Sequence, residues 1–417
     1  MMQPSQAYDP YFKSAPGAGH DAIPVGTNIL EDQSVFSPVM VLKESALKHN
    51  ISELSHYCRD ENIRVAPHGK TTMSPELTRL QLEAGAWAIS AANPSQVRAF
   101  WEFGARRVLL ANELVDPAGI RWIAQHLLHY PDHEFLCYVD SVRGVEILER
   151  ALSEVEGGPI LDVLVEISAP GGRTGLRTVD GALEVADAAS NSPCLDLRGV
   201  AGYEGALASD RSPESVERVA EYCRQVLRTA AALDQHEVFH GPEVILSVGG
   251  GAFFEVVVDT LKEQSLPRST PVIVIRAGSY ISHDDGLYAN IAAFAQPGSV
   301  HTLQPALEIW GRILSHPEPT LAFADFGRRD VPFDQGLPIA RHLRNLGGDE
   351  QRPAEGVTVT ALNDQHAYLE VSPDDPLAPG DWIGCGISHP CTAFDKWRHI
   401  PVVDDNYVVT GSVTTYF

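Results

Sequence analysis

From about residue 39 to residue 248 the chain alternates short apolar runs with longer amphipathic stretches, and this alternation constrains the fold more than any other feature. The runs 39–42, 64–66, 88–91, 107–110, 135–139, 162–167, 197–201 and 244–248 have the length and apolar character of buried parallel strands. Segments between them, among them 45–59, 94–103, 118–128, 142–152, 181–189 and 213–233, carry helical periodicity. Eight strands alternating with helices predict an α/β fold, a closed (β/α)8 barrel, with an open doubly wound sheet as the alternative. After Ala277 the character changes to many short β-rich runs divided by Pro, Gly and Asp, which predict a second, mostly antiparallel β domain. The expected organisation is an extension over 1–35 associated with the β domain, a barrel over 36–278 and a β domain over 279–417.

A formal net charge of −24 argues against nucleic acid and anionic membranes as partners, since both would repel the chain. No apolar run approaches the roughly 20 residues that span a bilayer, and the polar N-terminus lacks a signal-peptide core. Six scattered cysteines without framework spacing are expected to be reduced thiols of a cytoplasmic protein.

Several polar groups fall at or after predicted strand ends, where a barrel places its active site. Pro67-His68-Gly69-Lys70-Thr71 sets one lysine after the second predicted strand, either a turn-capping surface lysine or the Schiff-base lysine of pyridoxal phosphate. Ser247-Val-Gly249-Gly250-Gly251 follows the eighth, and consecutive glycine amides ahead of a helix suit a phosphate. Arg173 and Tyr203 follow the sixth and seventh, where a guanidinium can meet a carboxylate and a phenol a ring nitrogen. Near the end, His389-Pro-Cys391 offers an imidazole and a thiolate on one side of an extended backbone, a pair suited to zinc with open positions for water or substrate. His366 serves near that metal, acts as an acid, or is a satisfied turn histidine. The Asp325–Asp330 charge cluster is read as structural or interfacial.

Taken in order, Pro67 to Thr71, Gly171-Gly-Arg173-Thr-Gly175, Tyr203-Glu-Gly205, Gly249 to Gly251, Arg276-Ala-Gly278-Ser-Tyr280 and His389-Pro-Cys391 resemble the fold-type III pyridoxal-phosphate enzymes. The resemblance is to the D-serine dehydratase and D-threonine aldolase group, related to alanine racemase, and covers nearly the whole chain after residue 35. It is strongest toward dehydratases of the D-serine type, including D-3-hydroxyaspartate dehydratase. It implies Lys70 as the cofactor-bound lysine and base, with His366 as a further catalytic candidate. His68, Arg173, Tyr203, Ser247, Gly249, Gly250, Gly251 and Tyr280 become the cofactor-binding candidates, with Tyr203 near the ring nitrogen. His389 and Cys391 would hold a divalent metal, zinc before manganese or magnesium. The aldolase branch carries His-x-Asp at that pair, so Cys391 tilts the expectation toward a dehydratase of β-hydroxy D-amino acids such as D-serine, D-threonine or D-3-hydroxyaspartate. The rivals are retro-aldol cleavage, racemisation with Tyr280 or Tyr288 as second base, and a non-catalytic carrier of the cofactor. A homodimer is what the resemblance implies for assembly.

Overall fold

The computed structural model describes Lys13 and residues 23–295, 298–348 and 350–417. The first nine strands are β1 (Val39–Lys43), β2 (Arg64–Val65), β3 (Ile89–Ala91), β4 (Arg107–Glu113), β5 (Glu134–Val139), β6 (Leu161–Ile167), β7 (Leu195–Gly202), β8 (Glu243–Ser247) and β9 (Thr270–Ile275). Strands β2 to β9 form one parallel sheet in the order β2-β9-β8-β7-β6-β5-β4-β3. Its ends meet: Trp87 N–H donates to Val65 O and Ser90 N–H to Pro67 O, both at 2.8 Å. The barrel is therefore closed.

Local sequence explains why the helices start where they do. Ser74, Asn93, Asp116, Ser141, Thr178 and Ser212 each accept a hydrogen bond from an amide in the first turn of the helix that follows. Proline stands at the start of four of these helices, where its missing N–H costs nothing. Inside the barrel, Ala66, Ala88, Leu109, Leu136, Tyr138, Leu164, Ala201, Ile245 and Val274 pack on one another, and the alternate residues face the helices.

The remaining strands are β10 (Leu307–Glu318), β11 (Leu321–Ala324), β12 (Ile339–Arg344), β13 (Gln351–Pro353), β14 (Thr358–Leu362), β15 (Ala367–Glu370), β16 (Trp382–Gly386), β17 (His399–Val403) and β18 (Val409–Thr414). They build a second sheet along the path β13-β12-β16-β10-β1-β17-β18, with β11, β15 and β14 branching from β10. β1, expected as the first barrel strand, belongs here, pairing antiparallel with β10 (Val39 with Trp310) and parallel with β17 (Leu42 with Val402). The eighth barrel strand is instead β9. Val39 and Val41 pack with Trp310, Trp382 and Tyr407, and Met40 and Leu42 pack on the main core. A strand buried on both faces reads alike in either sheet, so local pattern could not choose.

Ile23, Ile29, Leu30 and Val35 join the same Trp310 cluster, and Trp382 Nε1 donates to Leu30 O at 3.1 Å. Residues 1–12 and 14–22 of the N-terminal extension lie outside the described residues. Among the described residues no helix is long and apolar enough to cross a membrane.

Candidate active site

The C-terminal ends of the barrel strands and one turn of the β domain enclose a cavity of about 490 Å³ lined by His68, Lys70, Arg173, Tyr203, Gly250, Gly251, Arg276, Ser279, Tyr288, His389 and Cys391, among others. Lys70 sits in a single 3-10 turn, Gly69–Thr71, directly after β2, the first barrel strand rather than the second. A Cβ on Gly69 would run into the Phe100 ring, so the turn can pack only with glycine there. The Lys70 amine is held below its ordinary range chiefly by burial. Cys391 opposes this, and Arg173 and Arg276, each with a smaller effect than Cys391, push the same way as burial. His68 is half-buried with its Nδ1 atom enclosed and unpartnered, and desolvation holds it well below the usual imidazole range.

The loop after β6 aims Arg173 at the cavity, with the guanidinium 4.7 Å from the centre of the Tyr203 ring. Gly175, in the left-handed region at φ +95°, donates its N–H to Asp140 Oδ2 at 3.0 Å. Arg276 follows β9. Its Nη1 donates to Ser247 O and Oγ at 2.5 and 2.7 Å, and its Nη2 to Gly202 O at 2.5 Å. Ser247 is fully buried, so it anchors Arg276 instead of lining the cavity.

The glycine run after β8 differs from the expected cradle. Gly249 N–H donates to Glu204 Oε2 at 3.0 Å and Gly250 N–H to Glu204 Oε1 at 2.6 Å, so two of the three amides are held by the chain's own carboxylate. At Gly251 an added Cβ would stand 2.6 Å from Ser279 Oγ and 2.7 Å from the Tyr288 ring, space that glycine leaves to the cavity. Tyr280 lies outside the cavity. It is buried in the core, where its hydroxyl accepts from Gln81 Nε2 at 3.3 Å, because the 3-10 turn Ser279–Ile281 sends Ser279 to the cavity instead. His366 is also outside. It stands exposed between β14 and β15, beside a separate hollow lined by Phe323 and Tyr368.

His389 and Cys391 do converge, brought together by the 3-10 turn Pro390–Thr392 and not by an extended strand. Asp334 organises them: its Oδ2 is 2.7 Å from His389 Nδ1, and its Oδ1 accepts from Thr392 Oγ1 at 2.6 Å. Burial opposes charge on His389, but the Cys391 thiol and the Asp334 carboxylate outweigh it and push the imidazole up to about 9. Thr71, next to Lys70, places its hydroxyl 3.5 Å from Cys391 Sγ, so barrel and β domain meet at the two chemical centres. The Asp325–Asp330 cluster is structural: Asp325 accepts from Arg312 N–H at 2.8 Å, and Asp330 from Gly327 N–H at 3.0 Å and Gln365 Nε2 at 2.7 Å.

Opposite Lys70, a group of acids emerges that the sequence did not announce. Glu113, Asp140 and Glu166 lie two residues beyond the inward-facing Ala111, Tyr138 and Leu164, and their oxygens fall within 4.8 Å of one another. Burial, with Glu166 alongside, pushes the Glu113 carboxyl up to about 9. Only Glu166 of the three lines the cavity.

Residues 42–258 match the family described as "Alanine racemase, N-terminal domain", and residues 306–403 match the one described as "Putative serine dehydratase domain". The chain belongs to the alanine racemase N-terminal-domain family, joined to a domain of the serine dehydratase type. It is 27% identical over 342 residues to a D-threonine aldolase of Arthrobacter sp., covering 81% of each chain. It is 25% identical over 363 residues to a 3-hydroxy-D-aspartate aldolase of Paracoccus denitrificans (strain Pd 1222), covering 84% of this chain and 86% of that protein. The solved D-threo-3-hydroxyaspartate dehydratase of Delftia sp. HT23 shares the fold, with a TM-score of 0.73 at 20% identity over 93% of this chain and 99% of that one. A cysteine-to-alanine mutant of a D-threo-3-hydroxyaspartate dehydratase has been solved in the metal-free form.

Proposed function

We propose that the protein is a pyridoxal-phosphate- and metal-dependent dehydratase that eliminates water from a β-hydroxy D-amino acid, leaving an enamine that takes water back on hydrolysis to an oxo acid and ammonia. The observation that carries this reading is that one cavity holds both a lysine whose amine is driven toward its neutral, nucleophilic form and an imidazole–thiol pair. The residues present fit both groups. The space left at Gly251 beside the Ser279 hydroxyl suits the phosphate end of the cofactor, and Lys70 its aldehyde. His389 has Nδ1 committed to Asp334, which leaves Nε2 for a metal, and the soft thiolate of Cys391 favours zinc over manganese or magnesium. When bound, the cofactor supplies an electron sink for charge at the substrate α-carbon and the metal a Lewis acid for the departing hydroxyl.

Within that frame the chain's own groups have separate tasks. Lys70, whose amine burial moves toward the neutral form, takes the α-proton. Arg173, stacked on Tyr203 at the rim, offers a planar guanidinium to the substrate carboxylate. Asp334 orients His389, and Thr71 fixes the Cys391 thiol relative to Lys70.

Retro-aldol cleavage is the second reading, favoured by the D-threonine aldolase and 3-hydroxy-D-aspartate aldolase among the relatives. D-threo-3-hydroxyaspartate separates the two, because a dehydratase yields oxaloacetate and ammonia whereas an aldolase yields glycine and glyoxylate. Chelation followed by zinc return should abolish and restore turnover, a loss of about 100-fold or more; full activity in the metal-stripped protein sinks the role of His389 and Cys391. Lys70→Ala, folded by circular dichroism, should form no visible absorbance band with pyridoxal phosphate. A borohydride-sensitive band in that variant would move the anchor elsewhere. A band in the parent protein without turnover of any D-amino acid would make the chain a carrier.

A further inference from the structure

Glu204 is completely buried, and backbone amides rather than a cationic side chain meet its carboxylate. Burying a carboxylate costs several kcal/mol unless its oxygens are hydrogen-bonded. Here each oxygen takes one glycine N–H, at 3.0 Å from Gly249 and 2.6 Å from Gly250, which ties the end of β7 to the end of β8. The contact is close on all sides: a Cβ on Gly250 would sit 3.0 Å from Tyr203 Cε2 and 3.2 Å from Glu204 Oε1. Tyr203 and the glycine loop are thus set in register by one side chain. These amides are the donors that a glycine run would otherwise turn toward a phosphate, and an anion of the chain already holds them.

We propose that Glu204 is a positioning residue, a built-in carboxylate that saturates the Gly249 and Gly250 amides and thereby assigns the cofactor's phosphate to the groups that follow. Those groups are the Gly251 N–H, the first turn of the helix Phe254–Leu261 and the Ser279 hydroxyl. The inference rests on the cofactor reading given above. Its physical content is a stop. A second anion cannot approach the first two amides because their donors are used and the Glu204 charge repels it. The depth of the phosphate, and with it the distance of the aldehyde from Lys70, is set from below by Glu204.

The decisive experiment follows glycine amides by NMR hydrogen exchange in the cofactor-free, full-length protein labelled with ¹⁵N-glycine. Pyridoxine 5′-phosphate serves as the probe, because it carries the phosphate but no aldehyde. Gly249 and Gly250 should be strongly protected before the probe is added, and Gly251 should respond only afterwards. Free exchange of Gly249 and Gly250 until the probe binds would overturn the proposal. If no glycine responds to saturating probe, the cofactor reading fails, whereas protection of Gly249 and Gly250 still shows the carboxylate latch. Glu204→Gln, which turns an amide NH₂ toward a backbone N–H, should weaken pyridoxine 5′-phosphate by roughly tenfold to a hundredfold. It should leave the visible band formed with unphosphorylated pyridoxal at the parent's affinity. Equal losses for both compounds, or for neither, would also overturn the proposal. Should this variant not fold, the exchange pattern of the parent decides.

Discussion

Around the barrel mouth, the ends of β8, β9 and β2 present amides, a hydroxyl and cations, whereas the ends of β4, β5 and β6 present Glu113, Asp140 and Glu166. The two halves carry opposite charge, yet their titrating groups move the same way, toward neutrality. Lys70 is held down and Glu113 pushed up, and burial is the leading cause on both sides. Neighbouring charges then divide: on the lysine Cys391 opposes burial while Arg173 and Arg276 reinforce it, and on the glutamate Glu166 reinforces it. Burial thus works against a charged amine on one side of the mouth and against a charged Glu113 carboxyl behind the other.

The difference between the halves can be broken most sharply on the amide side. Gly251→Ala would put a Cβ into the space between Ser279 and Tyr288, and affinity for pyridoxal phosphate should fall about tenfold to a hundredfold while the fold survives. Unchanged affinity would remove Gly251 from the phosphate end. A smaller effect is expected of Arg173→Met, since Arg173 is exposed and the barrel does not depend on it. Losing that cation relieves one of the influences that lower Lys70, so band formation with pyridoxal phosphate should require higher pH than in the parent. A profile that stays in place or moves to lower pH contradicts the assignment.

The smallest effect belongs to the acidic half. Glu113 binds its proton up to about 9 in the folded protein but releases it near the ordinary carboxylate value of 4.5 when unfolded. Between those limits the unfolded chain holds fewer protons, so stability falls as pH rises. Glu113→Gln removes that dependence, and its melting temperature should drop less between pH 6 and pH 8 than the parent's. An identical drop would show that Glu113 is ionised in the folded state.

Much of this arrangement could be read from residue order. Motifs at strand ends placed Lys70, Arg173, Tyr203, Gly250 and Gly251 at one mouth, because a barrel brings all such ends together. Errors arose where long-range pairing decides. The segment 39–43 followed by a helix looks like any barrel unit, and only β10 and β17 claim it. Counting it as a barrel strand hid β9, and with it the position of Arg276 and Ser279. Tyr280 and Ser279 exchanged roles because a single 3-10 turn chooses which neighbour faces the cavity. Asp334 and the acidic trio carried no local signal, and Glu204 stood in a motif without a role, since each acquires its partner from a different strand end or loop. His366 stands where the resemblance suggested a catalytic histidine, but the hairpin turns it outward.

The membership of β1 in the second sheet has a consequence for how the molecule is made. Val39 leaves the ribosome early, yet Trp310 and Val402, which mark its two partner strands, follow only after the whole barrel has been synthesised. At ordinary translation rates β1 therefore waits on the order of tens of seconds with both edges unpaired. Val39 to Leu42 are all apolar, so a nascent chain stalled before β10 exposes a template for aggregation that only Lys43 at its end interrupts. His389 and Cys391 arrive later still, just ahead of β17. Assembly order thus completes the cavity last: Lys70 gains its thiol and imidazole neighbours only when the segment between β16 and β17 has been made.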